Sequence, residues 1–158
     1  MQSIRDSVEN YIKENIPLTK TLDVKIIQLD QTGAVFSAPL EPNINDKSVG
    51  FAGSIETLLT ITSWGWLFAL FLKVDPKVQL YIRRCSFEFN RPVEKDLLAF
   101  IDTPDNDTIG RFFADYKTSG KARISIKAFI GEKNDPDSEF SGTFVALSMN
   151  SRLLLLNR

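Results

Sequence analysis

Apolar residues change their spacing several times along the chain, and each change marks an element. Ile4, Val8, Tyr11, Ile12 and Ile16 recur at three- and four-residue intervals. That spacing predicts an amphipathic helix, capped by Ser3 and ended by Pro17. Strands are expected over 21–29 and 34–38, divided by the turn residues Asp30-Gln31-Thr32-Gly33. A polar loop over 39–53 carries two prolines, two asparagines and two glycines. A second helix follows from about 54 to about 73. It is apolar on nearly every side, through Ile55, Leu58, Leu59, Ile61, Trp64, Trp66, Leu67, Phe68, Leu70 and Phe71. Such a helix belongs in the centre of a domain.

Beyond Asp75-Pro76 the period becomes two. Val78, Leu80 and Ile82 hold one phase, while Cys85, Phe87 and Phe89 hold the other. A phase flip inside one run predicts a bulge or a change of partner. Asn90-Arg91-Pro92-Val93 breaks the run, and a short strand is expected over 97–103. Ile109, Phe112, Phe113 and Tyr116 predict a helix over 107–119, with Asp107 as cap and Gly120 as stop. Strands over 122–130 and 140–149 complete the pattern, joined by a turn over 132–139. One long apolar helix among locally returning strands predicts an α+β fold, an antiparallel sheet around a helix. At 158 residues without linker or repeat, a single domain over 1–158 is expected.

Composition narrows the chemistry. The chain has no histidine and one cysteine. Ser-His-Asp hydrolysis, Cys-His catalysis and His-ligated metal sites are therefore excluded from this chain alone, as is an internal disulfide. No P-loop, dinucleotide fingerprint or metal-ligand cluster occurs, so neither a cofactor nor a metal is expected. A net charge of −1 gives no general pull toward nucleic acid. The longest uncharged run, 57–72, is short for a bilayer span and carries four hydroxyl residues. With Arg5, Asp6 and Glu9 where a leader would be apolar, a cytoplasmic protein without membrane insertion is the expectation.

Two features could carry chemistry. The loop Pro42-Asn43-Ile44-Asn45-Asp46-Lys47-Ser48-Val49-Gly50-Phe51-Ala52-Gly53-Ser54 runs into the apolar helix with small residues at the junction. Free first-turn amides there could hold a carbonyl oxygen as it gains charge. A tight turn with Gly53 or Ser54 as cap explains the same residues. On the helix, Glu56, Thr60 and Ser63 form a polar stripe that must meet solvent, a partner or a cavity. Glu56 could instead support the helix start, and Thr60 could bond back to its own helix. Cys85 reads as a core thiol, Arg83 and Arg84 as residues on opposite strand faces, and the two tryptophans as core or interface anchors.

The loop-helix junction, Phe89-Asn90-Arg91-Pro92-Val93 and the ending Phe140-Ser141-Gly142-Thr143-Phe144-Val145-Ala146-Leu147 together resemble a hotdog-fold thioesterase. More specific still are Ala38-Pro39-Leu40-Glu41-Pro42-Asn43-Ile44-Asn45 and Ser63-Trp64-Gly65-Trp66, which resemble the YiiD C-terminal-domain family of "putative thioesterases". The resemblance implies a long helix wrapped by a curved antiparallel sheet, in a homodimer or dimer of dimers. It also implies an acyl-CoA or acyl carrier protein thioester in an interface cleft. On that resemblance Asn45 and Gly53 position the carbonyl, with Ser54 the next amide, and Thr60 stands where related hydrolases often have a carboxylate. Glu56 with Thr60 would hold the water. The sequence departs from the family at Phe51-Ala52-Gly53, where Ala52 replaces a glycine and is expected to narrow the approach, and at Ser48, where glycine is commoner. The absent carboxylate at Thr60 and the substituted Ala52 keep a second expectation open, a non-catalytic acyl-thioester-binding or regulatory dimer. Hotdog dehydratase activity is set aside for want of a histidine.

Overall fold

The computed structural model describes residues 3–150. Helix α1 spans Ile4–Asn15, with the Ser3 hydroxyl accepting from the Asp6 amide as expected. Its carboxylate Glu9 pairs with Lys13 and accepts from the Ile26 amide at 3.2 Å. That contact ties α1 to strand β1 (Lys25–Asp30) across the short helix α2 (Leu18–Thr21), which the sequence pattern did not reveal. Strand β2 is Gly33–Ala38, and a single 3₁₀ turn, Glu41–Asn43, opens the polar loop.

Helix α3 spans Ala52–Phe71, two residues earlier at each end than the sequence pattern suggests. It is long and apolar enough to cross a bilayer, but most of it is buried inside this fold. It contacts all six strands, and Leu58, Leu59, Trp66, Leu67 and Phe71 are fully enclosed. Trp66 also donates its indole N–H to the Asp30 carbonyl at 3.2 Å. Gly65 is required by close packing: a Cβ there would lie 2.8 Å from the buried Phe36 ring.

The remaining elements are β3 (Gln79–Phe89), β4 (Leu97–Asp102), α4 (Asn106–Ser119), β5 (Lys121–Glu132) and β6 (Asp135–Leu147). All pairings are antiparallel, and the strand order is β1-β2-β4-β5-β6-β3. The predicted flip in β3 is a register shift between Ile82 and Arg84. Arg83 lies at that irregularity, so the two arginines do not follow simple alternation.

Other boundaries also differ from expectation: the strand expected over 21–29 is Lys25–Asp30, with Thr21 taken into α2, and the strand expected over 140–149 is Asp135–Leu147. Asp105 caps α4, accepting from the Thr108 amide at 2.7 Å, while Asp107 lies within the first turn. The backbone N–H and hydroxyl of Thr108 hold the Asp105 carboxyl below its usual range. The expected turn over 132–139 is a tight hairpin at Lys133 and Asn134. The Arg91 guanidinium grips Asp135 and Asp137, and the Asn90 and Arg91 amides donate to the Asp137 carbonyl. Pro136 fits the ladder at the register shift beside Gly131, whose φ is +95°.

Strand β3 is a sheet edge, and its burial sets it apart. Every residue from Tyr81 to Ser86 is exposed, including the large apolar Tyr81 and Ile82. Cys85 is exposed with them and is not a core thiol. This eleven-residue edge also exposes Arg83, Arg84 and Glu88.

Candidate functional site

Asn43 builds the loop that leads into α3. It is buried, and its amide group donates to the Leu22 and Pro39 carbonyls at 3.1 and 2.7 Å. Its own carbonyl accepts the Phe51 amide at 2.7 Å. The sequence pattern placed Asn43 in the loop but gave it no role, since a structural and a functional asparagine look alike in composition. Between Asn43 and Phe51 the chain closes a turn. The Asn45 amide donates to the Val49 carbonyl at 2.8 Å, and the Ser48 amide to the Asn45 carbonyl at 3.0 Å.

The Asn45 side chain is oriented by this turn. Its Oδ1 accepts the Lys47 amide at 2.8 Å and the Val49 amide at 3.4 Å. With Oδ1 occupied by two N–H groups, Nδ2 is the group left to donate. Asn45 lines a cavity of about 400 Å³ with Ala52, Ile55, Phe89, Asn90 and Val93. The departure at Ser48 acquires a physical meaning here, because Ser48 has φ +60°. A left-handed conformation strains a non-glycine residue. Ser48→Gly is expected to stabilise the fold by about 0.5–1 kcal/mol, the relief of strain being partly offset by added unfolded-state entropy. A thermal melt measures it.

Helix α3 begins without a side-chain cap. Phe51 occupies the cap position, so neither Gly53 nor Ser54 does, and Glu56 lies beyond the first turn. The Ser54 and Ile55 amides both donate to the Phe51 carbonyl at 3.0 Å. Ser54 is thus a weaker donor for a ligand than the sequence suggests. The Gly53 amide has no acceptor among the described hydrogen bonds. Ala52 is exposed, and the side chain that covers Gly53 is Phe51.

A groove of about 590 Å³ runs between α3 and the inner side of β3. Its polar wall is Glu56, Thr57 and Thr60; its apolar wall includes Ile61, Trp64, Leu80, Ile82 and Phe87. Glu56 is the sole carboxylate lining it among the described residues. Thr57 donates back to the Gly53 carbonyl at 2.8 Å, Thr62 to Leu58 at 2.6 Å and Ser63 to Leu59 at 2.9 Å. Ser63 therefore leaves the predicted stripe for the core. Thr60 makes no such back-bond among the described hydrogen bonds, and it lines the groove. Sequence reasoning missed Thr57, Cys85 and the β3 side of the groove, because strand alternation cannot show which face an edge strand leaves open. Trp64, Tyr11 and Phe68 form a three-ring cluster, with centroid distances of 5.9 Å (Tyr11–Trp64), 4.7 Å (Tyr11–Phe68) and 4.8 Å (Trp64–Phe68), which fixes this part of the wall.

The predicted residues thus do not share one cavity. Asn45 lies in one, Glu56 and Thr60 line the other, and the Gly53 turn stands between their first residues in sequence. Among the described residues no cluster of potential metal ligands occurs.

Six antiparallel strands in this order, around one central helix whose N-terminus meets a polar loop, define a hotdog-fold protein. The chain belongs to the family described as "Putative thioesterase (yiiD_Cterm)", which it matches over residues 5–148. Its fold is similar to a protein of unknown function from Chlorobaculum tepidum, at 24% identity, TM-score 0.87 and coverage of 92% of this chain and 94% of that one. It is similar also to a "putative thioesterase" from Shewanella oneidensis, at 21% identity and TM-score 0.80, covering 94% and 100%. A "probable thioesterase" from Pseudomonas aeruginosa follows at 18% identity and TM-score 0.74, covering 90% and 95%.

Proposed function

We propose that this protein hydrolyses acyl thioesters carried on coenzyme A or acyl carrier protein, as a homodimer. The observation that carries the reading is a pair of donors with no acceptor among the described hydrogen bonds, Gly53 N–H in the first turn of the buried helix and Asn45 Nδ2 at the cavity beside it. Donors fixed before reaction stabilise charge as it develops on a carbonyl oxygen. In this mechanism they hold the thioester oxygen while Glu56 takes a proton from water and Thr60 orients that water. Water oxygen bonds to the carbonyl carbon, the carbon–sulfur bond breaks, and the thiolate takes the proton. The products are a carboxylic acid and a free thiol.

The partition of the residues between two cavities favours a dimer. Antiparallel pairing of two β3 edges about a two-fold axis at mid-strand sets the Phe89 end of one protomer beside the Gln79 end of its partner. That arrangement aligns the Asn45 cavity of one chain with the Leu80 and Ile82 end of the other's groove. It also buries the exposed apolar residues of β3.

Glu56→Gln tests the base directly. Thiol release is expected to fall about 10²–10⁴-fold with the melting temperature unchanged, since the amide keeps the size of the carboxylate but cannot accept the proton. Retained turnover would remove Glu56 from the mechanism. The hydroxyl of Thr60 in place of a carboxylate is what favours the second reading, an acyl-thioester-binding dimer without turnover. Acyl-CoA binding to folded protein with no thiol released would select it.

A further inference from the structure

We propose that Phe51 is a side-chain gate over the Gly53 amide, which the incoming thioester must displace; this rests on the thioesterase reading. The ring lies against the Cα of Gly53. A Cβ built on Gly53 would meet Phe51 Cε1 at 2.6 Å and Cζ at 3.2 Å. The ring therefore occupies space beside the Cα of Gly53, in the first turn of α3.

Two further observations make this a gate and not a fixed wall. The Phe51 backbone is pinned on both sides: its N–H donates to the Asn43 carbonyl, and its carbonyl accepts from Ser54 and Ile55. Asn43 is itself buried and bound to two carbonyls. Motion is thereby confined to the side-chain torsions, and the loop need not open. The ring is also 51% exposed and stacks on no other ring among the described aromatic contacts. A half-exposed apolar ring gives up little by turning away, and exposed rotamers exchange in picoseconds to nanoseconds. Ala52, beside it in sequence, is exposed and leaves this role to Phe51.

The test combines turnover with the NMR signal of the Gly53 amide. In the wild type the ring should displace the Gly53 backbone resonances from their Phe51→Ala positions. Saturation with a non-hydrolysable acyl-CoA thioether should abolish that displacement. Phe51→Ala should lower KM by about fivefold, since no ring need be moved, with kcat changed little. Phe51→Leu, which keeps apolar bulk if the alanine variant folds poorly, should fall between. Bound thioether with the ring shift intact, or a raised KM in both variants, overturns the gate while wild-type thiol release still supports hydrolysis. Binding that abolishes the shift without thiol release keeps the gate and overturns hydrolysis. Neither binding nor release overturns both.

Discussion

Asn45→Asp is expected to reduce kcat/KM for thioester hydrolysis by about 10²–10³-fold, the loss seen when one oxyanion donor is removed. The substitution is chosen for what it preserves. Aspartate keeps an oxygen where Oδ1 accepts the Lys47 and Val49 amides, so the turn remains closed. It replaces Nδ2, the donating group, by a second oxygen that repels a developing negative charge. Stability should therefore hold while activity falls, and the loss should appear in kcat more than in KM. Asn45→Ala is less informative, because it removes donor and turn acceptor together. Full activity in Asn45→Asp would take Asn45 out of the site.

Trp66→Ala should cost about 3–5 kcal/mol of stability, the range for emptying a large buried aromatic site. Trp66 is fully enclosed on the helix that touches every strand, and its indole N–H satisfies the Asp30 carbonyl. The alanine variant loses the packing, leaves a cavity and strands that hydrogen bond. Trp66→Phe should lose less, since most of the volume remains. Urea unfolding with an unchanged m-value measures both. A loss below about 1 kcal/mol would mean that the centre of the fold collapses readily around the gap.

Much of the fold was legible because its signals are local. The Ser3 cap, the Gly120 stop, the wholly apolar α3 and the phase flip in β3 each follow from a few adjacent residues. What was not legible depends on distant partners. Asp135, Pro136 and Asp137 look like turn residues, yet Arg91, more than forty positions away, holds them in a strand. Cys85 and its neighbours look like core by alternation, but β3 is an edge and leaves them open. At the candidate site the important residue types were visible. Which groups remain unengaged was not: Ser63 turns back to its helix, Ser54 gives its amide to Phe51, and Thr60 lines the groove.

Thiol release from a panel of acyl-CoA and acyl carrier protein thioesters, measured on wild type and Asn45→Asp side by side, tests the central claim most directly. Turnover by the wild type on at least one thioester is expected, with a loss of about 10²–10³-fold in the variant. Folded wild-type protein that releases no thiol from any member of the panel would contradict the claim.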